Sequence, residues 1–250
     1  MNAPPHAIRA TALHKTFRVP HQRYSSVRDR VLHPLKGRSY DRLTALDDVS
    51  LEVRAGEFFG IVGRNGSGKS TLLRCLSGIY RVDRGEFDLP GRVAPFIELG
   101  VGFNHDMRAQ DNAVINAVML GMSPRAARAK LDEIFAFAEL EEFREMKILN
   151  YSSGMVVRLA FAITVQVDAD TLMFDEVLAV GDEAFRNKCL AHFAGMQAEG
   201  KTIVLVTHNM DMVERFCDRA LLLERGRVSM VGDPLEVAEA YHRVNAGREP

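Results

Sequence analysis

Two stretches near the start of the chain alternate between hydrophobic and polar residues, the period-two pattern typical of β-strands. They cover residues 7–19 and 43–53. The residues expected to point inward are Ile8, Leu13, Phe17, Leu46, Val49, Leu51 and Val53. Residues 18–42 interrupt the alternation and carry seven Lys or Arg residues. We therefore predict two strands that are separated by a basic insertion.

The middle of the chain changes from strand patterns to helix patterns. Phe58–Val62 is a continuous apolar run that predicts a buried strand, and a helix is expected after the following turn, to about Ser77. Residues 85–97 have the pattern of short strands, and residues 106–167 have helical periodicity. Helix starts are predicted at Asp111, at Ser123-Pro124 and near Met155.

Strand patterns return in the last third, at residues 171–174 and 202–206. Residues 219–231 predict a hairpin that turns at Arg225-Gly226, and a last helix is expected after Asp233-Pro234. Strands thus alternate with helices along much of the chain. This order predicts an α/β fold with a mainly parallel sheet covered on both faces.

Composition and charge narrow the class of protein. The 250 residues are 47% hydrophobic and 26% charged with a net charge of −1, so no global field favours nucleic acid or a membrane. Cys75, Cys189 and Cys217 have no metal-binding spacing, which favours a reduced, cytosolic setting. We expect no secretory signal in residues 1–9, and no apolar run approaches the ~20 residues that span a bilayer.

A glycine-rich stretch follows the apolar run of residues 58–62. It reads Gly63-Arg64-Asn65-Gly66-Ser67-Gly68-Lys69-Ser70-Thr71. The order strand, G-x-x-x-x-G-K-S/T, helix is that of the phosphate-binding P-loop, whose backbone N–H groups form an anion nest at a helix N-terminus. Lys69 is placed to reach the β- and γ-phosphates of a nucleotide, and the Ser70 hydroxyl to coordinate Mg²⁺.

Three polar residues follow the two strands predicted at residues 171–174 and 202–206. Asp175 is suited to hold Mg²⁺, directly or through water, and Glu176 to polarise an attacking water as a general base. His208 could contact the γ-phosphate, although a lone histidine is more commonly a surface or core residue. An acidic pair alone would indicate a solvated loop, but downstream of a P-loop we favour the catalytic interpretation.

A second candidate anion site lies before the helix expected near Met155. It reads Tyr151-Ser152-Ser153-Gly154-Met155 and is called the signature segment below. Small residues and a hydroxyl before a helix N-terminus can bind an anion, and the alternative is a plain N-cap.

Together these residues resemble the nucleotide-binding subunit of an ATP-binding-cassette (ABC) transporter. Residues 63–70 are similar to its Walker A motif, residues 171–175 to Walker B, and the signature segment to its signature motif, with Ser153 and Met155 in place of the usual glycine and glutamine types. Glu176 matches the catalytic glutamate, Asp182 the D-loop and His208 the switch histidine.

The resemblance implies one ABC ATPase domain over residues 1–250, with a RecA-like P-loop core. Residues 1–100 would hold a small antiparallel β-subdomain and the P-loop part of the core. Residues 101–167 would form an α-helical signature-motif subdomain, and residues 168–250 the rest of the core. ATP and Mg²⁺ are the implied cofactors. ATP would bind between Walker A of one copy and Ser152, Ser153 and Gly154 of a second copy.

Residues 175–182 and 96–104 resemble the subfamily that exports O-antigen, capsule and teichoic-acid polysaccharides. Glu98-Leu99 stands where most of the family has a Q-loop glutamine. The implied partners are a transmembrane permease, a second copy and, through the permease, a lipid-linked glycan, with no nucleic acid. The implied location is the cytoplasmic face of the inner membrane. Because the chain ends at Pro250, we expect no carbohydrate-binding domain of the kind that some exporters carry.

Three questions stay open at this point. The aromatic residue that stacks on adenine could be Tyr40, which we favour slightly, or Phe17, and core packing is the alternative for either. The basic insertion could face the membrane and admit a lipid-pyrophosphate group, or be a solvated loop. Rival classes are an ABC ATPase acting on DNA or ribosomes and a P-loop kinase or GTPase.

Overall fold

The structure, a computed structural model, describes residues 6–20, 40–96, 102–175 and 183–247. The strands in these ranges are β1 (His6–Pro20), β2 (Tyr40–Arg54), β3 (Phe58–Val62), β4 (Arg84–Asp88), β5 (Val93–Phe96), β6 (Thr171–Asp175), β7 (Thr202–Thr207), β8 (Arg219–Glu224) and β9 (Arg227–Gly232). The helices are α1 (Lys69–Leu76), α2 (Ala109–Met119), α3 (Pro124–Ala129), α4 (Leu131–Ala138), α5 (Ser153–Val165), α6 (Glu183–Ala198), α7 (Met210–Phe216) and α8 (Pro234–Ala246).

A small antiparallel sheet has the strand order β2-β1-β4. Its inward residues are buried as expected, apart from Phe17, which is half-buried. Both long strands extend beyond the alternating pattern, so that Arg18 lies opposite Arg42 in the register. The basic insertion therefore begins and ends in β-structure, and its residues 21–39 lie outside the described part of the chain.

The central sheet has the order β5-β6-β7-β3-β8-β9, and its neighbouring strands run parallel except for the β8–β9 hairpin. The predicted α/β fold with a mainly parallel sheet is confirmed. Val62 pairs with Thr207, and Asp175 with Val206. Because parallel strands end at one edge of the sheet, the chain segments after β3, β6 and β7 meet there.

The core covers both faces of this sheet, which explains why every residue of β3 and β6 is buried. On one face, aromatic rings pack edge to face, and the centroids of Phe174 and Phe193 are 4.8 Å apart. On the other face, α1 and the antiparallel sheet pack against β3. The helices between Ala109 and Val165 also enclose a buried cluster of their own, which includes Phe135 and Leu159.

The helices differ from the sequence prediction in three places. α2 begins at Ala109, and Asp111 lies in its first turn, where a carboxylate favours the helix dipole. The apolar stripe of residues 127–138 is divided between α3 and α4 at Lys130. α6 and α7 were not predicted. Among the described helices, none has both the length and the hydropathy that a membrane span would require.

Candidate functional site

The P-loop connects β3 to α1, in the strand, turn, helix order that its sequence predicts. Two of its three glycines, Gly63 and Gly68, lie where a side chain would not fit. A Cβ on Gly63 would come within 2.3 Å of the Leu223 carbonyl oxygen, and one on Gly68 within 2.4 Å of the Ala45 carbonyl oxygen. Gly68 also has a φ of 109°, which only glycine adopts readily. Packing and backbone conformation thus fix the path of the loop.

Lys69 folds back over this loop. Its Nζ donates hydrogen bonds to the carbonyl oxygens of Gly63 at 2.6 Å and Arg64 at 3.0 Å. Burial lowers the pKa of the ammonium, and the negative charge of Asp175 opposes that shift. The parallel pairing of β3 and β6 with β7 brings the end of β6 and the P-loop to the same edge of the sheet, which agrees with this electrostatic interaction.

Asp175 and Ser70 carry the carboxylate and hydroxyl oxygens predicted to hold Mg²⁺. Asp175 is buried at the end of β6, and Ser70 is half-buried in the first turn of α1. Mg²⁺ in nucleotide sites is held by one or two carboxylates or hydroxyls together with phosphate oxygens and water. Among the described residues, no three or more His, Cys, Asp or Glu side chains form a group that could hold a metal ion.

His208 follows β7 and shares a cavity of about 280 Å³ with the tip of the P-loop. The cavity is lined by Arg64, Asn65, His208, Tyr241 and Asn245. The structure therefore brings the predicted histidine and the P-loop together. Tyr241 and Asn245 of α8, both half-buried, were missed because such residues on an amphipathic helix carry no functional signal in one sequence.

The signature segment opens α5 in the helical part of the chain. The Ser152 hydroxyl caps the helix by accepting a hydrogen bond from the Met155 N–H at 3.2 Å. Ser152 and Ser153 are exposed, and nothing lies closer than 3.8 Å to a Cβ placed on Gly154. The plain N-cap of the alternative interpretation is therefore present, and the serines are also open to a ligand.

Tyr151, the first residue of the signature segment, is buried and fixes the position of that segment. Its hydroxyl donates to the Phe143 carbonyl oxygen at 2.9 Å, and burial raises the pKa of the phenol to about 12. The exposed serines thus directly follow, in the chain, a residue whose side chain is buried and hydrogen-bonded.

The two candidate aromatic residues differ in accessibility. The Phe17 ring meets Tyr80 edge to face at 5.5 Å, and Lys15 Nζ lies 5.4 Å from its centroid. Tyr40 lies opposite Pro20 in the sheet and is 56% exposed. Phe17 is thus half-buried with an aromatic ring and a cation beside it, while the ring of Tyr40 is open to stacking.

Several predicted residues lie outside the described part of the chain, and their roles stay predictions. They are Glu176, Asp182, Glu98, Leu99 and the basic residues between positions 21 and 39.

The fold and the P-loop indicate a nucleotide-binding protein, and comparison with known proteins identifies its family. The family model described as "ABC transporter" matches residues 46–179, more than half of the chain. The chain belongs to the ABC transporter family. A dimeric ATP-binding cassette solved in a post-hydrolysis state with ADP and phosphate has a TM-score of 0.74 at 21% identity. The match covers 91% of this chain and 98% of that one, which shows a shared fold.

Curated relatives place the chain more narrowly. The O-antigen export system ATP-binding protein RfbB of Myxococcus xanthus is 45% identical over 87% of this chain and 51% of its own length. RfbB of Klebsiella pneumoniae is 39% identical over 93% of this chain and 96% of its own. The teichoic acids export protein TagH of Enterococcus faecalis is 39% identical over 82% of this chain. The chain spans about half of the Myxococcus and Enterococcus relatives and nearly all of the Klebsiella one.

Proposed function

We propose that the chain binds and hydrolyses ATP as a subunit of an ABC transporter that exports a lipid-linked polysaccharide of the O-antigen, capsule or teichoic-acid type. The observation that carries the ATPase activity is the meeting of Lys69, Asp175 and His208 at one edge of the sheet. The proposed polysaccharide substrate is supported by the similarity of the chain to exporters in both O-antigen and teichoic-acid systems.

The described residues account for phosphate binding. The P-loop N–H groups and the Lys69 ammonium neutralise the phosphates of ATP, and Ser70 and Asp175 would hold Mg²⁺, which supplies further charge stabilisation. Glu176 follows Asp175 directly in the chain and would take the proton of the attacking water. His208, beside Arg64 and Asn65, would contact the γ-phosphate. Tyr40 would stack on adenine.

We further propose that ATP lies between two copies. The exposed Ser152 and Ser153, together with Gly154, at the start of α5 would bind the γ-phosphate held by the P-loop of the other copy, with Asp182 at the interface. ATP would then join the copies, and hydrolysis would loosen them by removing charge-assisted contacts. A transmembrane permease would hold the dimer at the cytoplasmic face of the inner membrane and receive the glycan.

The first test is ATPase activity of the purified chain. Wild-type protein should release phosphate from Mg-ATP, and Glu176→Gln should slow turnover by roughly 10²- to 10⁴-fold while ATP binding persists, because the amide keeps the shape and loses the basicity. The stalled variant should form an ATP-dependent dimer in size-exclusion chromatography. Glu199→Gln is the matched control. Full turnover in Glu176→Gln would exclude its assignment.

The second test concerns cargo. Membrane vesicles that contain the permease and a radiolabelled lipid-linked polysaccharide should translocate it with the wild-type chain and not with Glu176→Gln. Vesicles supplied with a different substrate class, such as a peptide, serve as the specificity control. ATPase activity without glycan translocation would leave an ABC ATPase and exclude the polysaccharide assignment.

A further inference from the structure

The turn of the β8–β9 hairpin touches the P-loop, although 159 positions separate Ser67 from Gly226 in the chain. Both turn residues have positive φ angles, 48° at Arg225 and 79° at Gly226. The Gly226 N–H donates a hydrogen bond to the Ser67 carbonyl oxygen at 2.8 Å, and the Gly226 carbonyl accepts one from the Asp47 N–H at 2.8 Å. Gly226 thus links the P-loop to β2 through its backbone.

The three backbones at this place are in close contact. A Cβ on Gly226 would lie 2.7 Å from the Ala45 carbonyl oxygen and 3.1 Å from its carbon. A Cβ placed on Gly68 of the P-loop would lie 2.4 Å from the same oxygen. Any side chain at position 226 must therefore push the turn away from Ala45, and the hydrogen bond to Ser67 moves with the turn.

The geometry of the peptide unit relates this contact to phosphate binding. In a planar trans peptide the carbonyl and the N–H point in opposite directions. The bond that holds the Ser67 carbonyl toward Gly226 therefore turns the Gly68 N–H away from the hairpin. Gly68 is the N-cap residue of α1, where N–H groups have no acceptor within the helix.

We propose that Gly226 is a positioning residue for the nucleotide: it fixes the peptide between Ser67 and Gly68 so that the Gly68 N–H faces the phosphates. The inference rests on the proposed ATP binding and adds a residue outside the recognised motifs. An ion pair supports the same turn, since Arg227 donates to Asp47 Oδ2 from Nε at 2.9 Å and from Nη2 at 2.5 Å. This pair fastens the hairpin to β2 next to Gly226.

The direct test is Gly226→Ala in the full chain. We expect KM for ATP to rise about tenfold, because one charge-assisted hydrogen bond to the nucleotide is lost. The value of kcat should change less than about twofold. The Gly68 N–H contact is made in the ground state and in the transition state alike, so its loss acts on KM. In an amide NMR spectrum, the Gly68 signal should shift on ADP addition in wild type and much less in the variant.

Gly200→Ala is the matched control. Gly200 has a φ of 75°, close to that of Gly226, but nothing lies within 4 Å of its added Cβ. It therefore suffers the same backbone strain without touching the P-loop, and its KM should stay at the wild-type value. An equal rise in KM in both variants, or no rise in Gly226→Ala, would overturn the proposal. A wild-type chain that does not bind ATP would instead refute the proposed function.

Arg227→Gln decides the question if Gly226→Ala does not fold. It weakens the ion pair with Asp47 and leaves the backbone conformation of the turn unchanged. We expect KM to rise two- to threefold, the effect expected from losing an exposed ion pair. Adding Asp47→Asn to Arg227→Gln should cause no further rise in KM. Arg9→Gln, which breaks the similar pair with Glu52 at 3.1 Å, is the control and should leave KM unchanged. An unchanged KM in Arg227→Gln would overturn the proposal.

Discussion

Lys69 shows how a single residue combines structure with chemistry. Its ammonium is buried and already bonded to two P-loop carbonyls, so its position does not depend on a flexible surface side chain. Burial lowers its pKa, and the negative charge of Asp175 opposes that shift at the place where phosphates are expected. We therefore expect Lys69 to contribute both to the loop conformation and to nucleotide affinity.

We predict that Lys69→Ala weakens ATP binding roughly 10- to 100-fold, the worth of a hydrogen bond to a charged group, and abolishes measurable hydrolysis. Isothermal titration with ATP checks the affinity, and phosphate release checks turnover. Lys130→Ala removes an exposed ammonium that pairs with Glu133 and should leave both unchanged. Normal nucleotide affinity in Lys69→Ala would contradict the P-loop assignment.

Tyr151 allows a prediction about pH. The pKa of its phenol is raised from 10.0 to about 12, so the folded chain holds this proton more tightly than the unfolded chain. The linked stability is fully present below about pH 10 and is lost as pH rises toward 12. Tyr151→Phe lacks this titration but also lacks the hydrogen bond to Phe143, worth about 1 kcal/mol.

Wild type should therefore be the more stable protein at neutral pH, and its advantage over Tyr151→Phe should shrink with rising pH. Urea unfolding of both proteins at intervals between about pH 8 and pH 11 measures the difference. A constant difference across that range would show that the phenol does not titrate with folding.

At the scale of elements, sequence predicts what local patterns encode. The P-loop, the cap at Ser123 and the hairpin turn at Arg225-Gly226 were predicted because their glycines, caps and periods lie within a few residues. α6 could also have been predicted, since Phe185, Cys189 and Phe193 recur at helical spacing.

Contacts between distant segments could not be predicted in this way. The hydrogen bond from Gly226 to Ser67 and the cavity that Tyr241 shares with His208 depend on the packing of segments far apart in the chain. A turn glycine in one sequence has the same appearance whether or not it supports a P-loop. The structure was needed to reveal both contacts.

Asn112 illustrates how one element organises another. It is fully buried on α2, its Oδ1 accepts from the Asn104 N–H at 2.7 Å, and its Nδ2 lies within 3.2 Å of the carbonyl oxygens of Asn104, Met107 and Arg108. The side chain thus shapes the loop that leads into the helix. Asn112→Ala would leave several of these backbone groups without partners.

We expect Asn112→Ala to destabilise the chain by about 2 kcal/mol, measured by urea unfolding. Asn187→Ala, an exposed asparagine on α6, is the control and should change stability by less than about 0.5 kcal/mol. Equal stability of the two variants would mean that water replaces the lost contacts.

At the scale of the whole molecule, the proposed composite site makes a prediction that depends only on which copy supplies which part. Let one copy carry Lys69→Ala and a differently tagged copy carry Ser152→Trp. If the signature segment serves the ATP of the opposite copy, one site has both defects and the other is intact, so the mixed dimer should keep up to about half of wild-type activity. If each copy serves its own ATP, both sites are damaged and activity is lost.

Placing both changes in one copy, paired with wild type, should reverse the two outcomes. Homodimers of each single variant are the controls and should be inactive, and an inactive mixed dimer beside an active doubly mutated pairing would refute the arrangement between copies.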